Sequence, residues 1–184
     1  TKIKCNSSPT LPCFAREGAK LETRHVMSTS VLQLYNKITR KPFGHWLFSR
    51  MVCFKAPYFG SIRPRMTVLE PNRAEATIAH RRSVTNHLGT VHAIALCNLA
   101  EFTGGLMTDA TTPTSMRWIP KGMSVEYLKK AVGTQRGVAT PEFPPHVSSE
   151  GYELPVNVVV TDPQGDAVFK ARISMWVSPK PPRK

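Results

Sequence analysis

The segment TNHLGTVHAIALCNLAEF, residues 85–102, constrains the fold more than any other part of the chain. Its polar start runs into a helical pattern in which Val91, Ala93, Ile94, Ala95, Leu96, Leu99, Ala100 and Phe102 fall on every side. A helix without a polar face has to be enclosed by the rest of the molecule. The pattern predicts a helix from residue 91 to about 107, closing at Gly104-Gly105. Its small residues, Ala93, Ala95, Cys97, Ala100 and the two glycines, let a sheet approach closely. Asn86, His92 and Glu101 are the polar exceptions, and they are either satisfied structural groups or parts of an active site.

The flanking chain supplies the sheet. SIRPRMTVLEPNRAEATIAHRR reads as two strands joined by a turn at Glu70-Pro71-Asn72-Arg73. Residues 115–140 read as two strands around Gly133, and residues 151–177 as a hairpin turning at Asp162-Pro163-Gln164-Gly165. In the last strand Val168, Lys170, Arg172 and Ser174 alternate with Phe169, Ala171, Ile173 and Met175, a period of two with one face buried. Two short helices precede the strands: STSVLQLYNKITR, capped by Ser28 or Thr29, and GHWLFSRMVCFKA, which stops at Pro57. The fold class is α+β, an antiparallel sheet wrapped around a long central helix (the hot-dog arrangement) with extra N-terminal helices. Residues 1–26 lack periodicity and are set apart as a poorly ordered arm: a cloning remnant, upstream translated sequence or a basic targeting segment, with Met27 as a natural start. Residues 27–184 form one domain, with 27–58 a helical elaboration and 60–178 the core.

Charge and motifs narrow the function. Twenty-five Lys and Arg against twelve Asp and Glu give a net charge of +13, which attracts polyanions. The cations are dispersed, however, and only SPKPPRK at the C-terminus is a basic run. No basic-aromatic platform or recognition helix marks a specific nucleic-acid binder. No apolar run approaches the length of a membrane span. Cys5, Cys13, Cys53 and Cys97 have no metal-ligand spacing, which predicts no metal site and fits a reducing, cytoplasmic compartment. G-x-S-x-G, H-E-x-x-H and Gly-rich phosphate loops are all missing.

NHLGTVHAIALCNLAE closely resembles the loop and central helix of hot-dog-fold acyl-CoA thioesterases of the phenylacetic-acid-degradation type, nearest to a mostly uncharacterised bacterial subgroup. That family shows an Asn, a short Gly-containing loop, His-Gly-Gly, then an acidic residue along the helix. Asn86, Gly89-Thr90, His92 and Glu101 occupy the corresponding places, and the likeness covers roughly residues 60–178. His-Gly-Gly has become His92-Ala93-Ile94, which narrows the entrance.

The resemblance implies thioester hydrolysis and a role for each residue. The N–H of Ala93, at the start of the helix, polarises the carbonyl. Asn86 positions the attacking water or the carbonyl. Gly89, Thr90 and His92 shape the substrate loop, Thr90 as a helix cap. Glu101, among apolar neighbours, has its pKa raised by desolvation and acts as base or nucleophile. Ala93 and Glu101 are eight residues apart, about 12 Å along one helix, so a single subunit cannot bring both to one carbonyl. An obligate homodimer with composite sites is expected, with pairing into tetramers open. Lys129 and Lys130, with Arg117 or Arg136, are the candidates for coenzyme A phosphates. No cofactor is expected beyond the coenzyme A of the substrate. Cys97 reads as packing. The alternatives are an acyl-CoA or fatty-acyl binding protein without turnover, prompted by Ala93 in place of Gly, and a nucleic-acid binder, prompted by charge alone.

Overall fold

The central helix, α3, runs from Ala93 to Thr111. In the computed structural model, which describes residues 30–181, it packs against one six-stranded antiparallel sheet. The expectations for the arm 1–26, for Met27 and for the Ser28 or Thr29 cap lie outside the described residues. The strands are β1 (Arg65–Glu70), β2 (Arg73–Ile78), β3 (Met116–Tyr127), β4 (Gln135–Pro141), β5 (Tyr152–Thr161) and β6 (Ala167–Pro179), in the spatial order β1-β2-β4-β5-β6-β3. Helices α1 (Ser30–Thr39) and α2 (Gly44–Lys55) precede them. This is the α+β hot-dog arrangement that the sequence predicts.

Alternation places the core. Along β6, Phe169, Ala171, Ile173, Met175 and Val177 are buried while Lys170 and Arg172 point outward. Leu154, Val156, Val158 and Val160 do the same on β5. The β5–β6 turn closes where Asp162 accepts the N–H groups of Gln164 and Asp166, both at 3.0 Å, with Gly165 at φ +89°. Both N-terminal helices join this core through Leu32, Tyr35 and Phe48, and the Met66 N–H donates to Ser49 Oγ at 2.8 Å.

Two expectations about α3 need correcting. It does not stop at Gly104-Gly105 but continues to Thr111. The glycines serve packing instead: a side chain at Gly104 would meet Ile173 Cδ1 at 2.9 Å, so the missing Cβ lets helix and sheet close together. Nor is the helix enclosed all round in the single chain. Ile94 is 54% exposed and Glu101 is exposed, while Cys97 and Gly105 are half-buried. These residues form one stripe at three- and four-residue spacing. Strand β3, at the sheet edge, runs beside the stripe, with Tyr127 against Cys97 and Trp118 beside Gly105 and Asp109. No helix among the described residues is long and apolar enough to cross a membrane.

Candidate active site

The loop before α3 is built around Asn86. Its Oδ1 accepts the N–H groups of Leu88 (3.0 Å) and Thr90 (3.2 Å), and its Nδ2 donates to Thr90 Oγ1 (2.9 Å). Gly89 supplies the left-handed residue, at φ +73°, that closes the turn. His80 clamps the loop to the start of β4: Nε2 donates to the Gly89 carbonyl at 2.9 Å and Nδ1 accepts the Gly133 N–H at 3.0 Å. The Asn86 oxygen is therefore occupied in shaping the loop.

His92, not Thr90, caps the helix. With extended backbone (φ −63°, ψ 139°), His92 accepts the Ile94 N–H on Nδ1 at 3.1 Å. Thr90 lies too far ahead of Ala93 to reach the first helical amides and belongs to the Asn86 loop. The capping leaves the Ala93 N–H as an open donor at the positive end of a 19-residue helix.

Beside this start lies a pocket of about 230 Å³, lined by Tyr58, Ser61, Thr85, His92, Ile94 and Asn98 among others. Asn98 is 5% exposed, and its Nδ2 donates to Ser61 Oγ at 3.2 Å while its Oδ1 has no partner among the described residues. The sequence held a signal for it, an amide within an apolar helix, but not its direction. Ser61 carried no signal, because it reaches the pocket only through tertiary contact. A larger hollow of about 390 Å³, lined by Asp109, Trp118 and Lys180, sits at the far end of α3 and shares none of these residues.

Glu101 lies roughly two turns beyond Ala93, on the open stripe. In the single chain its side chain is exposed rather than enclosed by apolar neighbours. Cys97 lies 3.3 Å from the Tyr127 hydroxyl. That hydrogen bond, reinforced by burial, pushes the Tyr127 hydroxyl up to about 12.

The expected phosphate-binding cations are largely committed elsewhere. Lys129 bridges Asp162 (3.0 Å) and Asp166 (2.6 Å), which hold its ammonium above its ordinary range. Arg136 is held by Glu75 at 2.6 Å, and Arg117 reaches Ser178 Oγ at 3.4 Å. Lys130 stands exposed. Among the described residues, no three His, Cys, Asp or Glu side chains gather as metal ligands.

Comparison with known proteins agrees with the fold. The family model described as a domain of unknown function, DUF4442, matches residues 44–177. The chain is 44% identical to the protein solved as genomics APC5556, with a TM-score of 0.70 over 80% of this chain and 97% of that one. The thioesterase HI1161 from Haemophilus influenzae superposes at a TM-score of 0.60 with 14% identity, over 70% of this chain and 87% of that one. A thioesterase family protein from Silicibacter pomeroyi gives 0.58 with 15% identity, over 72% and 96%. At such identities these two share the fold. No curated protein matches the sequence.

Proposed function

The chain belongs to the DUF4442 family, and from that premise we propose that it hydrolyses acyl-CoA thioesters at sites shared between two copies of itself. The observation that carries this reading is the open Ala93 N–H between His92 and Ile94, which line a pocket, on a helix whose exposed carboxylate, Glu101, lies about 12 Å further on. In a two-fold dimer the helix start of one protomer faces Glu101 of its partner. The partner then also supplies the burial that Glu101 lacks in the single chain.

The reaction follows from these groups. The Glu101 carboxylate takes a proton from water as the oxygen attacks the thioester carbon. Negative charge moves to the carbonyl oxygen, where the Ala93 N–H stabilises it. Collapse breaks the C–S bond, and the proton on Glu101 passes to the departing sulfur, leaving a carboxylic acid and a thiol. Ile94, exposed at the pocket mouth where the resembled family has glycine, sets the width of the entrance. It also supports a second reading, acyl-CoA binding without turnover.

A panel of acyl-CoAs assayed by DTNB thiol release tests both. Glu101→Gln is expected to lower kcat by about 10²–10⁴ with little change in KM. Undiminished turnover in that variant removes this mechanism, and tight binding with no thiol release by the wild type favours the second reading.

A further inference from the structure

Helix α2 carries apolar side chains on two faces. Phe48 and Cys53 enter the core, while Trp46, Leu47, Met51 and Phe54 are exposed. The exposed set recurs at three- and four-residue steps, so it forms one stripe along the outer side of a helix about 18 Å long. Phe43, directly before the helix, and Tyr58, in the turn after it, are exposed as well. Exposure reaches 84% at Phe43 and 90% at Phe54. At roughly 150–250 Å² per aromatic side chain, these rings and Trp46 leave several hundred Å² of apolar surface in water. A patch of that size marks an interaction surface. Phe43 also holds a left-handed backbone, φ +61°, that a bulky residue rarely adopts. The strain falls on a ring that the fold leaves in solvent.

Charge identifies the partner. Arg50 stands one turn from both Trp46 and Phe54, within the stripe, and Lys55 stands one turn beyond Met51. Lys41 precedes Phe43 by two residues. No acidic residue occurs between 30 and 69, and among the described residues no carboxylate pairs with Lys41, Arg50 or Lys55. None of the exposed side chains of α2 is a neutral amide or hydroxyl. A protein partner would be met with direct hydrogen bonds spread over the contact, for which such groups serve. A two-fold contact with a second copy would set Arg50 and Lys55 against their own counterparts. An anionic lipid surface instead offers hydrocarbon and negative headgroups, the complements of the two kinds of group present. We propose that the outer face of α2, with Lys41 and Phe43 before it, docks the protein peripherally on anionic membranes. The aromatic rings enter the headgroup boundary and the cations meet lipid phosphates. This inference is independent of the hydrolase reading.

Flotation of the full chain with lipid vesicles tests it. Wild type is expected to float with phosphatidylcholine vesicles that contain phosphatidylglycerol and not with phosphatidylcholine alone. Binding should weaken about fivefold in Lys55→Gln. It should weaken about tenfold or more in Phe54→Ser and in Phe43→Asn, the latter keeping a residue that tolerates the left-handed backbone. Two controls should bind as wild type: Val147→Ser, an exposed apolar residue between β4 and β5, and Lys170→Gln, which removes the same charge from β6. All five side chains are exposed, so unchanged melting temperatures are expected. Absence of flotation with either vesicle overturns the docking face, as does equal flotation by wild type, Phe54→Ser and Phe43→Asn. Equal weakening by Lys170→Gln and Lys55→Gln also overturns it, because net charge alone then accounts for binding. A lipid-free oligomer that Phe54→Ser dissociates assigns the face to a second copy and overturns docking too. Acyl-CoA hydrolysis without lipid separates the two readings. Flotation with no turnover retains the docking face and removes the hydrolase, and turnover with no flotation does the reverse.

Discussion

Glu75 shows how individual side chains tie the sheet together. It is buried on β2, between Arg73 on its own strand and Arg136 on β4. Burial raises its pKa, but the hydrogen bonds from Arg136 and Arg73 outweigh that and hold the carboxyl below its ordinary value. A carboxyl depressed in the folded state binds protons more readily when unfolded. Its contribution is therefore complete above the unfolded value of about 4.3 and is lost as pH falls through the lower folded value. Urea unfolding at a series of pH values reads this directly. Stability of the wild type should fall between about pH 5 and about pH 3, and Glu75→Gln should flatten that fall while costing about 1–3 kcal/mol near neutrality. Parallel pH profiles for the two proteins would mean that the ion pairs carry no net weight.

Among the elements, the junction of α1 and α2 allows the least substitution. Gly44 opens α2 directly beneath the end of α1, and a Cβ there would meet the Ile38 carbonyl oxygen at 2.2 Å and Thr39 Cα at 2.6 Å. Both obstacles are backbone, so neither can swing aside. Gly44→Ala is expected to lose about 1–3 kcal/mol in urea unfolding, and an unchanged midpoint would show that the junction yields. This contact has no sequence signature, unlike much of the rest. Apolar residues on every side of α3 announced a central helix, and the turn residues 70–73 and 162–165 announced two hairpins. Gly104-Gly105 misled because a glycine that ends a helix and one that admits a sheet look alike in sequence. Only the position of Ile173 separates the two cases. The spacing of Asn86, His92 and Glu101 was equally legible, since all three belong to one continuous segment. Asn98, Ser61 and Arg81 were not, because their meeting depends on how residues 58–63, 81–85 and 92–98 come together in space.

At the scale of the whole molecule, the proposed chemistry stands or falls on a second copy. Strand β3 is twelve residues long, pairs among the described residues only with β6, and leaves Ile119, Met123, Tyr127 and Leu128 at or beside it exposed. A long edge with apolar side chains invites pairing with another chain. Ala93 permits a direct test of whether catalysis needs that partner. It is the first residue of α3, where proline is tolerated, and the extended backbone of His92 suits a residue before proline. Ala93→Pro thus removes the proposed oxyanion donor without breaking the helix. Alone, it should lower kcat by about 10²–10³, and Glu101→Gln alone should be similarly poor. In a mixed dimer, the helix start of the Glu101→Gln chain meets the intact Glu101 of the Ala93→Pro chain, so one of its two sites is whole. Unfolding and refolding equal amounts together makes half the dimers mixed, so about one quarter of wild-type activity should return. If each site drew both groups from a single chain, every site in the mixture would be defective and nothing would return.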